Sequence, residues 1–172
     1  ANPIDSTRLW LKRMVLFASP EQRDSPIREI PFHCGLNIVW GVELPDDAGV
    51  DAAHPVTLSG HSVGKTTCCR LIRYCLGEST FGNPGAMGRI KNTFPEGWVG
   101  VELAAGGQEW SVLKPIGRTG DPKAAQGISV EFLFDLDRKQ NHFSAFMDHL
   151  RGTMMAGLQA STPPNSAKPY EW

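Results

Sequence analysis

Residues 59–78 read SGHSVGKTTCCRLIRYCLGE, and the Gly-Lys-Thr at 64–66 is the core of a phosphate-binding loop. In such a loop successive backbone N–H groups and a helix N-terminus surround one anion. The full pattern, G-x-x-x-x-G-K-[ST], has a glycine where this chain has Ser59. Gly60, one position later, can adopt the positive φ that a serine rarely takes. The stretch therefore predicts a nucleotide phosphate site despite the missing first glycine.

Each remaining position of the loop has an expected role. Gly64 permits close backbone approach, Lys65 reaches the β- and γ-phosphates, and the Thr66 hydroxyl binds Mg²⁺. The expected cofactors are ATP and Mg²⁺. The alternative interpretation is an ordinary helix that starts at a threonine after a polar loop. The predicted phosphate-binding residues are Ser59, Gly60, His61, Ser62, Val63, Gly64, Lys65, Thr66 and Thr67.

Helical spacing follows the loop and strand patterns precede it. From Thr66 onward apolar residues recur every three or four positions, and Gly77 stands where a helix ends. Residues 9–17 (LWLKRMVLF) and 27–32 (IREIPF) predict two strands, and 36–41 (LNIVWG) predicts a buried central strand. Residues 43–58 hold four acids and no Lys or Arg, which predicts an exposed acidic insertion.

The second half alternates between loops and regular elements. Residues 79–97, rich in Gly and Pro, and residues 117–127 are predicted loops. Residues 98–105 and 108–116 flank Gly106-Gly107 and predict a hairpin. Residues 128–137 predict a strand, 141–158 a helix with one apolar face in the core, and 159–172 a Pro- and Ser-rich tail. The expected fold is one α/β domain, residues 1–158, with a mixed sheet, an antiparallel meander and few helices.

Composition excludes several classes of protein. The chain has 172 residues and a formal net charge of −1. No apolar run reaches the roughly 20 residues of a membrane span, and the first residues lack the order of a signal peptide. We expect a cytoplasmic location and no membrane partner. The four cysteines contain no C-x-x-C pair, so we expect small buried hydrophobic side chains rather than metal ligands.

The order of these elements resembles the amino-terminal lobe of the SMC-type ABC ATPases, a P-loop NTPase group that includes RecF, RecN, double-strand-break repair ATPases and bacterial defence ATPases of the AAA class. The resemblance covers roughly residues 9–118. This chain has Ser59, His61 and Ser62 where the family usually has Gly, Asn and Gly. The matching segments are Gly35-Leu36-Asn37, Gly64-Lys65-Thr66, Leu76-Gly77, Val101-Glu102-Leu103 and Trp110-Ser111-Val112.

The resemblance implies further residues and partners. Lys12 or Arg13 would contact the nucleotide base or ribose, although an ordinary solvated strand face is the equal alternative. ATP would bridge this lobe to a carboxy-terminal lobe or a second head, with coupling to DNA repair or to phage or plasmid defence. The glutamine that links magnesium to the second head stays open among Gln126, Gln140 and Gln159.

ATP hydrolysis in this family requires sequence motifs that the chain does not contain. It contains no Ser-Gly-Gly signature, no Asp-Glu pair after an apolar strand and no heptad repeat. Catalytic residues are therefore not assigned, and we expect the amino-terminal half of a longer ATPase, with DNA contact through the full-length protein. One alternative is a complete small P-loop kinase or GTPase-like enzyme that uses Asp135 or Asp137. Another is a non-hydrolysing interaction domain with a degenerate loop.

Overall fold

The computed structural model describes residues 9–38 and 64–161, with side chains through residue 155. Five strands form one sheet in the order β2-β1-β3-β4-β5, and every neighbouring pair is antiparallel. This confirms a mixed α/β class with an antiparallel meander and few helices. The predicted mixed sheet is wrong for the described residues, because none of their strand pairs is parallel. The strands are β1 (Leu9–Phe17), β2 (Arg28–Pro31), β3 (Trp98–Ala105), β4 (Gln108–Pro115) and β5 (Lys123–Gln126), and the helices are α1 (Lys65–Cys75), α2 (Pro84–Thr93) and α3 (Phe143–Ser161).

The hairpin of β3 and β4 is the centre of the sheet. Gly106 and Gly107 have φ values of 53° and 79°, the left-handed pair that a two-residue hairpin turn requires. Val101 faces Val112 across the pair, in the middle of an unbroken register from Trp98–Pro115 to Ala105–Gln108. The predicted hairpin and the predicted strand at residues 9–17 are both confirmed.

Helices α1 and α3 cover one face of the sheet, and α2 packs at the margin of the same core. Leu71 and Cys75 of α1 and Phe146 and Leu150 of α3 are buried in one cluster with the inward side chains of β3 and β4. Phe143 and Met147 of α3 pack at its border, whereas Met154 is 52% exposed. The predicted apolar face of α3 therefore lies in the core through Leu150. The helix itself continues to Ser161, three residues into the segment predicted as a tail.

The opposite face carries a short 3₁₀ helix, Val130–Asp135. Val130 and Leu133 are fully buried against Val15 and Phe17 of β1. Phe132 points away from the sheet and is 63% exposed. The predicted strand at residues 128–137 is wrong, since the two buried side chains are three positions apart rather than two.

Two predicted loops contain regular structure. The segment 79–97 holds α2, whose first turn is capped by Asn83: its side chain accepts a hydrogen bond of 2.8 Å from the Ala86 N–H, and Pro84 follows at the first helical position. The segment 117–127 holds β5, which extends the sheet beyond β4. The outer edge of β5 bonds to the chain before α3, where the His142 N–H donates to the Ala124 carbonyl at 2.8 Å.

The remaining predictions are either corrected by the structure or concern residues outside its described part. Of the predicted strand at 36–41, the described residues 36–38 are not in a strand, and Leu36 is 87% exposed. Only Cys75 among the four cysteines is buried, since Cys68 is half-buried and Cys34 and Cys69 are exposed. Residues 39–41, the acidic segment 43–58 and residues 162–172 lie outside the described part of the chain. None of the described helices is long and apolar enough to cross a membrane.

Candidate functional site

The last four residues of the predicted phosphate loop form the start of α1. Gly64 is the residue before the helix and has φ 76° and ψ 6°, the left-handed conformation that glycine adopts without strain. Its carbonyl accepts the first helical hydrogen bond, from the Cys68 N–H at 2.8 Å. An added Cβ at Gly64 would meet no described atom within 4 Å. The backbone conformation, rather than crowding, therefore accounts for glycine here.

The first turn of α1 is open to an anion. Lys65 and Thr66 are exposed and Thr67 is half-buried. The N–H groups of these residues have no acceptor within the helix, and the helix dipole adds partial positive charge at this end. No acidic residue lies in the first turn, so no side chain there competes with an anion. This is the arrangement that a phosphate-binding loop needs at its carboxyl end.

The opposite end of α1 fixes the helix to the sheet. The Gly77 N–H donates to the Tyr74 carbonyl at 3.2 Å and the Glu78 N–H to the Arg73 carbonyl at 3.1 Å, with φ 116° at Gly77. Lys114 of β4 also donates to the carbonyls of Tyr74 and Glu78, at 2.9 and 3.1 Å. Burial lowers the pKa of the Lys114 ammonium. These bonds hold α1, and with it the first turn, in one orientation.

Residues 59–63 lie outside the described part of the chain. Ser59, Gly60, His61, Ser62 and Val63 therefore stay predictions, and the structure places only Gly64, Lys65, Thr66 and Thr67.

Lys12 and Arg13 lie on the sheet face opposite α1. The register of β1 against β3 shifts between Leu11 and Arg13, and this bulge turns both basic side chains to the same face. Lys12 pairs with Glu109 of β4. The two basic side chains therefore share one face of the sheet, whereas Lys65 begins the helix that packs on the other face.

Arg13 is the centre of an ion network that the sequence did not suggest. Its guanidinium donates to Glu102 at 2.7 Å, to Glu131 at 2.8 Å and to Glu29 at 3.0 Å. Ser129 also accepts from it at 2.9 Å. The hydrogen bond to Glu102 is the largest cause of the raised pKa of Arg13, and it outweighs the opposing effect of burial. Through these bonds Arg13 links the 3₁₀ helix and the edge strand β2 to β1 and β3, so the contacts made by Arg13 are structural ones.

The two aspartates named for the kinase or GTPase-like alternative are both engaged in local contacts. Asp135 ends the 3₁₀ helix and pairs with Arg23 at 2.6 Å. The Asp137 carboxylate accepts the N–H groups of Lys139 and Gln140, each at 2.9 Å, which makes it the cap of a turn. Neither aspartate follows a strand. The Gln126 side chain bonds to Gln108 at 2.9 Å, and nothing in the described residues selects a glutamine for the second head.

Comparison of the chain with protein-family models, curated proteins and solved structures found no match. The geometry of the site and the order of sequence motifs are therefore the observations from which a function can be argued.

Proposed function

We propose that this chain is the ATP-binding amino-terminal lobe of an SMC-type ABC ATPase. The observation that carries the proposal is the left-handed Gly64 at the start of α1, followed by exposed Lys65 and Thr66. In a phosphate loop this combination places a flexible cation and a hydroxyl beside free helical N–H groups. The antiparallel sheet and the order of motifs along the chain agree with the proposal.

The residues have distinct chemical roles in this proposal. The N–H groups at the start of α1 hold phosphate oxygens, and Lys65 neutralises charge on the β- and γ-phosphates. The Thr66 hydroxyl would be a ligand of Mg²⁺, which would neutralise phosphate charge when bound. The predicted residues 59–63 complete the loop. Serine at 59 and 62 leaves less backbone freedom than glycine, so we expect modest affinity.

Hydrolysis is proposed to require a second polypeptide segment. Within residues 9–38 and 64–161 neither candidate aspartate follows a strand, since Asp135 ends the 3₁₀ helix and Asp137 caps the turn after it. That placement disfavours a complete small kinase or GTPase-like enzyme. A carboxy-terminal lobe or second head would supply the carboxylate and signature loop. Head engagement would then be coupled to DNA repair or to phage or plasmid defence.

Thermal unfolding against Mg-ATP concentration tests the proposal. At a hundredfold excess over Kd a ligand adds about 2.7 kcal/mol of stability, and each kcal/mol moves the midpoint by roughly 2–4 °C in a chain of this size. We expect a rise of about 5–10 °C in the wild type and none in Lys65→Ala. Lys139→Ala, an exposed lysine before α3, is the matched control and should behave like the wild type.

The variant Thr66→Ala distinguishes the contribution of Mg²⁺ binding from that of nucleotide binding. We expect its response to ATP with EDTA to match the wild type, whereas the extra rise with Mg²⁺ is lost. No rise in the wild type, or an equal rise in Lys65→Ala, would reject the proposed site.

A further inference from the structure

A cavity of about 350 Å³ lies near the carboxyl end of α1. It is open to solvent on one side and is bordered by the segment after α1, by α2 and by the turn after β4. Its polar lining comprises Tyr74, Ser79, Thr80, Lys91, Arg118 and Thr119. Two cationic and four hydroxyl-bearing residues thus line one space, and none of the described lining residues is Asp or Glu.

The two cations keep donors available. Arg118 uses one guanidinium nitrogen for the Asn92 side chain at 2.7 Å, and a guanidinium carries five N–H donors in all. Lys91 forms no ion pair with any acidic residue in the described part of the chain. Lys114, by contrast, is already bonded to two carbonyl oxygens outside this space.

The walls of the cavity are held in place by backbone contacts. The Arg118 N–H donates to the Pro95 carbonyl at 2.8 Å, and the Gly117 N–H donates to the Gly97 carbonyl at 2.9 Å. A Cβ at Gly117 would lie 2.2 Å from the Pro95 oxygen, so the two turns approach as closely as glycine allows. On the other wall the Tyr74 hydroxyl donates to the Pro115 carbonyl at 2.9 Å. A ligand would therefore meet a largely preformed site.

The local charge favours an anion. Residues 64–93 contain five Lys and Arg but one acid, Glu78, which pairs with Arg73. The whole chain, in contrast, has a net charge of −1. The positive charge is thus concentrated around α1 and α2.

We propose that this cavity binds a phosphate ester, with Lys91 and Arg118 on the phosphate oxygens and the hydroxyls of Ser79, Thr80 and Thr119 as further donors. Paired cations and hydroxyl donors are the groups that recognise phosphate. The volume is in the range of about 300–1,000 Å³ for small-molecule sites, so a nucleotide unit fits. Tyr74 lies nine residues from Lys65, about 14 Å along α1, so the cavity is separate from the phosphate loop.

The test uses the full chain with Lys65→Ala and EDTA, which removes the proposed phosphate-loop contribution. Binding of fluorescent mant-AMP and of a fluorescein-labelled 12-nucleotide oligo(dT) is measured by anisotropy, with inorganic phosphate as competitor. Lys91→Gln and Arg118→Gln should each weaken binding at least about tenfold, the lower end of the range for one charge-assisted hydrogen bond. The matched controls, Lys139→Gln and Arg138→Gln, remove the same charges from the turn before α3 and should leave affinity unchanged.

Each outcome decides the proposal. Preferential binding of mant-AMP identifies a free nucleotide, and preferential binding of oligo(dT) identifies a backbone phosphate of a strand; both support the site when Lys91→Gln and Arg118→Gln weaken binding. Arg118→Lys should retain most of the affinity, which separates charge from loop distortion. Absence of binding, insensitivity to phosphate, or equal losses in the control variants would overturn it. A negative result in this binding experiment does not affect the test of the phosphate loop. That test measures thermal unfolding with Mg-ATP in the wild type, without EDTA.

Discussion

Arg13 of β1 donates a hydrogen bond to Glu102 of β3 at 2.7 Å, and the same nitrogen reaches Glu131 of the 3₁₀ helix at 2.8 Å. Arg13 and Glu102 are cross-strand neighbours in the register of β1 and β3. Burial alone would raise the pKa of each carboxylate, but the bonds from Arg13 and nearby donors outweigh it and leave both pKa values lowered. One guanidinium thus joins the sheet to the segment that covers its second face.

Arg13→Met should destabilise the fold by about 2 kcal/mol at pH 7, measured by urea unfolding, because it leaves two partly buried carboxylates without their cation. The stability given by a lowered carboxylate pKa is present above about pH 4.5 and is lost as the pH falls below it. The difference between Arg13→Met and wild type should therefore shrink from pH 7 to pH 3. Arg23→Met, which removes an exposed pair with Asp135, is the control and should change the midpoint little. A difference independent of pH would show that Arg13 acts by packing alone.

Local signals in the sequence were sufficient for α1 and for the central hairpin. Gly106-Gly107 between alternating strands requires one turn type, and Gly64 and Gly77 mark the two ends of α1. Such positions are predictable because a single residue type satisfies the backbone conformation there.

Tertiary contacts decide the elements that the sequence left ambiguous. The glycines and proline near α2 suggested a loop, yet Asn83-Pro84 is a helix start signal, and Met87 and Ile90 gain burial only against the core. The four apolar residues in VEFLF, residues 130–134, are too few to distinguish a helical from a strand period. Packing against the sheet selects Val130 and Leu133 for burial.

The candidate site was also predictable only in part from the sequence. The exposed first turn at Lys65 and Thr66 agrees with the loop pattern, because that pattern already encodes the local backbone. The orientation of Lys12 and Arg13 depends on a β-bulge, and no residue type in LWLKRMVLF signals one. A bulge of one residue exchanges the sheet face of every later side chain, so the position of Arg13 could not be predicted from alternation.

Gly100→Ala should destabilise the fold by about 1–3 kcal/mol through overpacking. Its added Cβ would lie 2.3 Å from the Val130 side chain, which is fully buried and cannot move aside. The double variant Gly100→Ala, Val130→Ala should be less destabilised than the sum of the single variants, which urea unfolding measures as a coupling energy. Gly152→Ala in α3 meets no described atom within 4 Å and, as a helix control, should stabilise by up to about 1 kcal/mol. Strict additivity would mean that the sheet relaxes around the new methyl group.

Cys75 should make the fold sensitive to alkaline pH. Its thiol is fully buried under the sheet, and burial raises its pKa from 9.0 to about 12, with Lys114 opposing the shift. In the unfolded chain the thiol loses its proton near pH 9, so the folded state binds more protons above that pH and its stability falls. We expect the wild type to lose stability relative to Cys75→Ala from pH 8 to pH 10.5, with a slope approaching about 1.4 kcal/mol per pH unit above pH 9. Urea unfolding at each pH measures the difference, in which the titrations of Lys114 and Tyr74 largely cancel. A constant difference would mean that the thiolate reaches water without unfolding. Cys69→Ala, which removes an exposed cysteine of the same helix, is the matched control.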